Sequence, residues 1–156
     1  MTTLHPDEAQ ALLAALDDEY HAHATYTQVL TDFGPVLPFA NIVESEARHI
    51  QALLQLFERY ALAVPPNTWP GRVPRYPDLL AACEAAVSAE VENAALYERL
   101  LAVIRHDDLR EVLTALRDAS QERHLPAFQR CVTRGGAGRG NRGGGQGQGG
   151  GRGRCR

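Results

Sequence analysis

Apolar residues recur every three or four positions in four stretches of the chain, at about 6–33, 38–60, 78–104 and 108–131. This spacing places them on one face of a helix, and the alternation typical of strands is absent from the sequence. Each stretch is long enough to form a helix of its own. The pattern therefore predicts an all-α protein with four helices.

Residues at the ends of these stretches agree with the predicted boundaries. Pro6 suits the first turn of the first helix, and the pair Gly34-Pro35 suits its end. Asp108, with Glu111 three residues later, resembles a capping box. We therefore expect the first helix to start at position 6 and the fourth at about position 108.

The links between the predicted helices differ in length and composition. The first and third links are short, whereas the second contains the segment AVPPNTWPGRVPRYP at 63–77, which is too rich in proline to be helical. One long link between two short ones is the connectivity of a ferritin-like four-helix bundle, in which a crossover joins helices two and three. We predict that this bundle occupies residues 1–133.

Residues 134–156 differ in composition from the rest of the chain. They contain 12 of the 14 glycines, six arginines and no acidic residue. The tail therefore carries +6, which leaves −9 on the remainder of a chain whose net charge is −3. Such a segment cannot bury enough apolar surface to offset the entropy of ordering, so it is predicted to be disordered.

Two interpretations of this arginine-glycine tail remain open. It could bind nucleic acid through the phosphates, in a salt-sensitive way. Against this, the tail has no aromatic residue to stack on bases. The chain also contains no lysine, so its arginines could reflect codon bias in a solvated tail without function. A basic tail on an acidic bundle also favours self-association into a homo-oligomer.

Composition and cysteine content indicate in which cellular compartment the protein is located. The apolar content of 44% is ordinary for a globular protein, and no apolar run approaches the roughly 18 residues of a membrane span. The start MTTLHPDEAQ lacks the features of a signal peptide. Cys83, Cys131 and Cys155 are odd in number and far apart, so reduced thiols are expected. These features predict a cytoplasmic protein with no membrane partner.

Polar residues interrupt the apolar face of every predicted helix. At about 100° per residue, these inward positions carry glutamate or histidine near the middle of each helix. They are Glu19 and His23 in the first helix, Glu46 and His49 in the second, Glu90 in the third and His124 in the fourth. Glu92 falls to the side of the third helix.

One inward glutamate or histidine is usually a core residue with satisfied hydrogen bonds, and a metal-free structural bundle is the corresponding interpretation. Four helices that each supply such a group at a similar height are less easily explained in this way. Unpaired buried carboxylates are costly, and a metal ion compensates them. The Glu46-x-x-His49 spacing, repeated in part by Gln121-x-x-His124, is that of dimetal sites in helical bundles. We therefore predict a metal site.

Several stretches also resemble the ferritin-like superfamily of di-iron carboxylate proteins. These stretches are DDEYHAHATY, FANIVESEARHIQALLQLFERYAL, SAEVENAALYERL and DASQERHLPAF. The resemblance covers residues 8–131 and is closer to a family of uncharacterised prokaryotic, rubrerythrin-like proteins. It implies that iron is bound by five side chains, namely Glu19, Glu46, His49, Glu90 and His124.

The second Glu-x-x-His motif of the superfamily is incomplete, because Gln121 stands where the pattern has glutamate. Three glutamates neutralise three of the four charges of two Fe(II) ions, so one metal position is expected to be weaker. Glu122 would supply the missing carboxylate if Pro126 kinks the fourth helix and turns Glu122 inward. Gln121 and Glu122 are therefore both candidate ligands.

Oxygen-rich ligand sets with two imidazoles suit Fe(II) or Mn(II) better than Zn(II). The resemblance implies ferroxidase or peroxidase chemistry with dioxygen or peroxide as substrate. The sequence shows no cysteine-rich iron domain of the rubrerythrin kind, so a peroxidase would need an external electron donor. Tyr26 and Tyr97 lie on the same helix faces. They either act on a ligand or trap a radical, or they pack in the core with satisfied hydroxyls.

Overall fold

The computed structural model describes residues 2–137, which form helices and no strand. The elements are α1 (Pro6–Phe33), α2 (Phe39–Arg59), α3 (Leu79–Leu101), α4 (Asp107–Ala119), a π-helical segment (Ser120–His124) and α5 (Leu125–Thr133). The last three follow one another without a break and form the fourth helix of the bundle. The all-α, four-helix prediction is confirmed. Within the described range, no helix combines the length and the apolar composition that crossing a membrane requires.

Hydrogen bonds between α1 and α3 show how the helices run. Glu19 accepts a hydrogen bond from Tyr97, and further along α1 Tyr26 donates one to Glu90. The partner's number on α3 falls as the number on α1 rises, so these two helices are antiparallel. The short link makes α2 antiparallel to α1 as well, so α2 and α3 are parallel. The connection at 60–78 therefore runs along the bundle as the predicted crossover.

Side chains of the crossover hold it against α1. The Trp69 ring stacks on His21 with 4.2 Å between ring centroids, and its indole N–H donates to Asp17 at 3.0 Å. Further along, Arg75 donates to both carboxylate oxygens of Asp32, at 3.0 and 2.5 Å. These contacts hold the long connection at two points along α1.

The buried carboxylate of Glu8 closes one end of the bundle. It forms a capping box with His5 at the start of α1. It also accepts hydrogen bonds from the backbone N–H groups of Arg105 and His106, at 2.7 and 2.9 Å, and lies 2.9 Å from the Nδ1 atom of His106. Burial alone would raise the pKa of Glu8, but the hydrogen bonds from His106, Arg105 and His5 lower it to about 2.

The capping box predicted at Asp108 is wrong. The residue before α4 is His106, whose side chain makes no capping hydrogen bond. Asp108 lies within the first turn and accepts hydrogen bonds from Arg59 at 2.8 Å and from Tyr60 at 2.6 Å. The Asp108 carboxylate, which the sequence pattern assigned to a local cap, is thus hydrogen-bonded to residues at the end of α2.

The prediction of reduced thiols is also wrong for two of the three cysteines. Cys83 on α3 and Cys131 on α5 form a disulfide with a Cα–Cα distance of 6.1 Å, although 48 positions separate them in sequence. Antiparallel packing of the two helices brings them together. Disulfides persist mainly in oxidising compartments, so this bond counts against the cytoplasmic location, which stays a prediction.

Two apolar clusters fill the bundle on either side of a polar layer. On α1 the first cluster reaches Leu16 and the second begins at Tyr26, and on α2 the gap lies between Ile42 and Ile50. The first cluster is mainly aliphatic and includes Leu12, Leu16, Leu53, Leu109 and Leu113. The second is more aromatic and includes Tyr26, Phe39 and Phe128. The predicted glutamates and histidines lie in the gap between the clusters.

The first residues of the predicted tail complete the end of α5. The N–H groups of Gly135 and Gly136 donate to the carbonyls of Val132 and Cys131, at 2.9 and 3.0 Å, and both glycines have positive φ. This is a Schellman motif. A Cβ atom on Gly136 would lie 2.5 Å from the backbone nitrogen of Leu80, so only glycine fits there. Cys155 and the predictions of disorder and nucleic-acid binding for the rest of the tail lie outside the described residues.

Candidate metal centre

Five carboxylate and imidazole side chains meet in the polar layer. They come from all four helices of the bundle and are at most 9% exposed. They are Glu19 of α1, Glu46 and His49 of α2, Glu90 of α3 and His124 at the end of the π-helical segment. The structure therefore brings together all five side chains that the resemblance implied as ligands.

These side chains form two groups that share Glu46. In each group, the potential ligand atoms lie within 4.8 Å of one another. In the first group, the Nδ1 atom of His49 is 3.3 Å from Oε2 of Glu46 and 3.5 Å from Oε2 of Glu19. In the second, the Nδ1 atom of His124 is 3.2 Å from Oε1 of Glu46 and 3.5 Å from Oε1 of Glu90. Each imidazole thus faces a different oxygen of Glu46.

Two buried tyrosines support the outer carboxylates of these groups. Tyr97 donates a hydrogen bond to Oε1 of Glu19 at 2.6 Å, and Tyr26 donates one to Oε1 of Glu90 at 2.7 Å. Burial and the neighbouring carboxylates raise the pKa of both hydroxyls well above 10, so both remain protonated donors. Each group therefore has the same composition: one histidine, one outer glutamate held by a tyrosine, and one oxygen of Glu46.

The π-helical segment determines which residues of the fourth helix face the centre. The N–H of Leu125 donates to the carbonyl of Ser120, five residues earlier, so the turn is one residue wider than in an α-helix. Ser120 and His124 both face inward and are 3% exposed. Gln121 and Glu122 are exposed. The structure does not bring these last two predicted ligands to the centre.

The reason lies in the register of the helix. In a regular α-helix, a residue three positions before His124 would share its face, which is why the spacing pointed to Gln121. In the wider π-helical turn, Ser120, four positions before His124, shares the inward face instead. Pro126 was expected to turn Glu122 inward by a kink, but the helix instead widens just before this proline.

A hydrogen-bonded chain of three polar side chains lies beside the centre, and it was not predicted. Ser120 donates to Oδ1 of Asn93 at 2.6 Å, and the amide of Asn93 donates to the carboxylate of Asp18. Burial raises the pKa of Asp18 to about 6, although the hydrogen bond from Asn93 opposes this shift. The one signal in the sequence was the position of Ser120 on the apolar face of the fourth helix.

Three buried polar atoms of the centre have no hydrogen-bond partner among the described residues. They are Oε2 of Glu19, Oε2 of Glu90 and Nδ1 of His124. The 3.2 Å separation between His124 and Glu46 lacks the alignment of a hydrogen bond. Leaving buried polar groups unpaired is costly, and coordination to a cation would satisfy these three atoms. The side chains present therefore fit a bound divalent metal.

Proton affinities in the centre reflect the crowding of its carboxylates. Burial alone would lower the pKa of His49, but Glu19 and Glu46 raise it to about 9, and Glu46 and Glu90 do the same for His124. Burial and the charge of Glu46 raise the pKa of Glu19. Burial would also raise the pKa of Glu46, yet the adjacent side chains of Glu19, His124 and His49 lower it. Both imidazoles thus hold their protons more tightly than a free histidine does.

A pocket of about 120 Å³ adjoins one side of the centre. It lies between α1, α3 and the crossover, and Glu90 and Tyr26 form part of its wall. Its other polar side chains include Asp18, His21 and Asn93. A small molecule in this pocket would contact the Glu90 group of the centre rather than the Glu19 group.

His23 and Glu92 both lie outside the centre. His23 is half-buried, and burial lowers its pKa, but it belongs to neither group. Its inward position was predicted, yet α1 turns it partly to the surface. Glu92 is exposed, as its position to the side of the third helix indicated.

Several solved structures are similar to the chain, among them MJ0754 and BfrA. The hypothetical protein MJ0754 from Methanococcus jannaschii DSM 2661 is 21% identical with a TM-score of 0.77, over 87% of this chain and 85% of that one. The bacterioferritin BfrA from Mycobacterium tuberculosis is 16% identical with a TM-score of 0.70, over 85% of this chain and 88% of that one. No family model and no curated protein matches the chain. The likeness concerns the fold, and the chain has the ferritin-like four-helix fold.

Proposed function

We propose that this protein binds two divalent metal ions and oxidises Fe(II) with dioxygen or peroxide. Iron is the preferred metal, and manganese is the alternative. The observation that carries the proposal is the pair of buried groups that share Glu46 and contain unpartnered ligand atoms. The same donor set occurs twice, which favours two ions over one. The bacterioferritin likeness is consistent with iron, although at 16% identity it concerns the fold alone.

The donor atoms favour iron or manganese over zinc. Each group offers one imidazole nitrogen and carboxylate oxygens, and this mixture suits Fe(II) and Mn(II). Two Fe(II) ions held together would supply the two electrons that reduce peroxide or begin the reduction of dioxygen. Glu46 would hold both ions through its two oxygens, while Tyr97 and Tyr26 keep Glu19 and Glu90 in place.

The pocket beside Glu90 supports a reaction with a small molecule. Its volume of about 120 Å³ accommodates a diatomic oxidant or a hydrated ion. The two apolar clusters exclude water from the bundle on either side of the polar layer. We therefore assign the pocket as the route by which the oxidant or the iron reaches the centre, from the side of Glu90.

Metal titration without oxygen tests this proposal. Wild-type apo protein should bind two Fe(II) or Co(II) ions in two unequal steps, because three carboxylates leave one of the four positive charges uncompensated. Glu46→Ala should abolish tight binding of both ions, because it removes the ligand that the two groups share. Glu92→Ala, an exposed glutamate on α3, is the matched control and should bind as wild type does.

Admission of air then tests the reaction. The iron-loaded protein should develop the visible absorption of ferric iron faster than free Fe(II) does under the same conditions. A wild-type protein that binds no iron would overturn the whole proposal. One that binds two ions but oxidises them no faster than solution iron would leave a metal-binding protein without oxidase activity.

A further inference from the structure

Ser45 lies on the side of the two histidines that faces away from the carboxylates. It immediately precedes Glu46 on α2 and is half-buried. Its Oγ atom is 3.0 Å from Nε2 of His124 and 3.4 Å from Nε2 of His49. One hydroxyl therefore lies within reach of both imidazoles.

The arrangement of the rings agrees with a shared partner. The two imidazoles stack with 5.5 Å between centroids and an interplanar angle of 21°. Their Nδ1 atoms face the carboxylates of the centre, and their Nε2 atoms face Ser45. Both rings thus present the same edge to the candidate metals and the same edge to the hydroxyl.

The chemistry of imidazole ligands gives this contact a role. A histidine that binds a metal through Nδ1 is neutral and carries its proton on Nε2, and that N–H needs an acceptor which also fixes the ring orientation. A serine oxygen has two lone pairs and can accept from two N–H groups. A single residue can therefore hold both histidines in the tautomer that leaves Nδ1 free for a metal.

We propose that Ser45 is a shared positioning residue, which fixes the tautomer and orientation of His49 and His124 together and thereby links the two metal positions. The inference rests on the proposed function, because it concerns metal binding at the same centre. It goes beyond that function by assigning a role to a residue outside the ligand set. Since one hydroxyl serves both rings, its loss affects both positions at once.

The test compares Ser45→Ala with Ser45→Thr, which keeps the hydroxyl, and with Ser88→Ala, an exposed serine on α3. Each apo variant is first checked for an unchanged thermal midpoint and then titrated with Co(II) without oxygen. Ser45→Ala should weaken both binding steps, by about 10–100-fold. Ser45→Thr should restore both steps, and Ser88→Ala should match wild type. Wild-type affinity in Ser45→Ala, or loss of one step alone, would overturn the inference.

A second measurement needs no variant. Nitrogen NMR of the Zn(II)-loaded wild-type protein reports which ring nitrogen carries the proton in each histidine. Protonated Nε2 in both His49 and His124 is expected, and coordination through Nε2 in either ring would refute the role of Ser45. If the wild-type protein binds neither Co(II) nor Zn(II), the proposed function itself fails. If it binds them but Ser45 has no effect, only this inference fails.

Discussion

Buried carboxylates lie at two levels of the bundle interior, and they differ in how their charge is satisfied. Glu46 is shared between two histidines and belongs to both groups of the candidate centre. Glu8 is equally buried, but backbone N–H groups and His106 surround it. Glu8 thus has its partners within the protein, whereas the outer glutamates of the centre each retain an unpartnered oxygen. This difference separates a structural carboxylate from candidate ligands.

Replacement of Glu8 should reveal its contribution through pH. Its folded-state pKa of about 2 lies below the ordinary value of 4.5, so ionised Glu8 stabilises the native state above about pH 4.5 and that contribution is lost as pH falls towards 2. Glu8→Gln should lower the free energy of unfolding at pH 7 by about 2 kcal/mol, the value of hydrogen bonds to a charged group. Urea unfolding at pH 7 and pH 3 measures this difference.

The difference between Glu8→Gln and wild type should shrink at pH 3, because the wild-type carboxylate then becomes protonated on unfolding. Glu84→Gln, which alters an exposed glutamate, should unfold like wild type at both pH values. An equal loss of stability at pH 3 and pH 7 would mean that packing of the side chain, rather than its charge, stabilises the end of the bundle.

Among the elements, the fourth helix shows where prediction from spacing succeeds and where it stops. The helices and the five central side chains were predictable because a regular helix turns by about 100° per residue. That rule correctly places Glu19, Glu46, His49, Glu90 and His124 on the inner faces. It fails for Gln121, because the turn widens within Ser120–His124 and places this residue on the surface. A local change of register has no simple signature in the pattern of apolar residues.

Contacts between different helices were equally impossible to predict from the spacing of residues in the sequence. Cys83 and Cys131 were predictable as buried positions on two helix faces, but their bond depends on the packing of α3 against α5. The same holds for Asp108, whose partners Arg59 and Tyr60 come from a distant helix. Contacts between elements require the arrangement of the helices, which the spacing within each helix does not contain.

The disulfide should stabilise the joint between α3 and α5. Closing a loop of 48 residues restricts the unfolded chain, and its loss is expected to cost about 4 kcal/mol. Thermal or urea unfolding of the double variant Cys83→Ala, Cys131→Ala, compared with wild type, measures this loss. Alkylation of the denatured protein without reductant, followed by mass spectrometry of peptides, should leave both cysteines unmodified. Alkylated Cys83 and Cys131 would show that the bond does not form.

At the scale of the whole molecule, the crossover, α1 and α3 together form a pocket that reaches one side of the candidate centre. Ala89 lines this pocket from α3 and is exposed at its own position. A larger side chain there would narrow the pocket while all five central residues stay in place. The pocket can therefore be tested separately from the ligands.

Ala89→Leu should slow the oxidation of Fe(II) while the affinity for Co(II) at equilibrium stays unchanged. A narrower passage changes how fast a reactant arrives and leaves the donor atoms as they were. Stopped-flow absorption gives the rate, and equilibrium titration gives the affinity. Ala95→Leu, an exposed position on the same helix outside the pocket, is the control. An unchanged oxidation rate in Ala89→Leu would mean that reactants reach the centre by another path.

The polar layer has a consequence for the way the chain is made. Its side chains are spread from Glu19 in the first helix to His124 near the end of the fourth. A ribosome releases the N-terminal helices first, so a growing chain can present Glu19, Glu46 and His49 long before the second group is complete. A chain that stops before His124 could hold at most one ion by these groups. Capacity for a pair of ions therefore arises only when the fourth helix has been synthesised and packed.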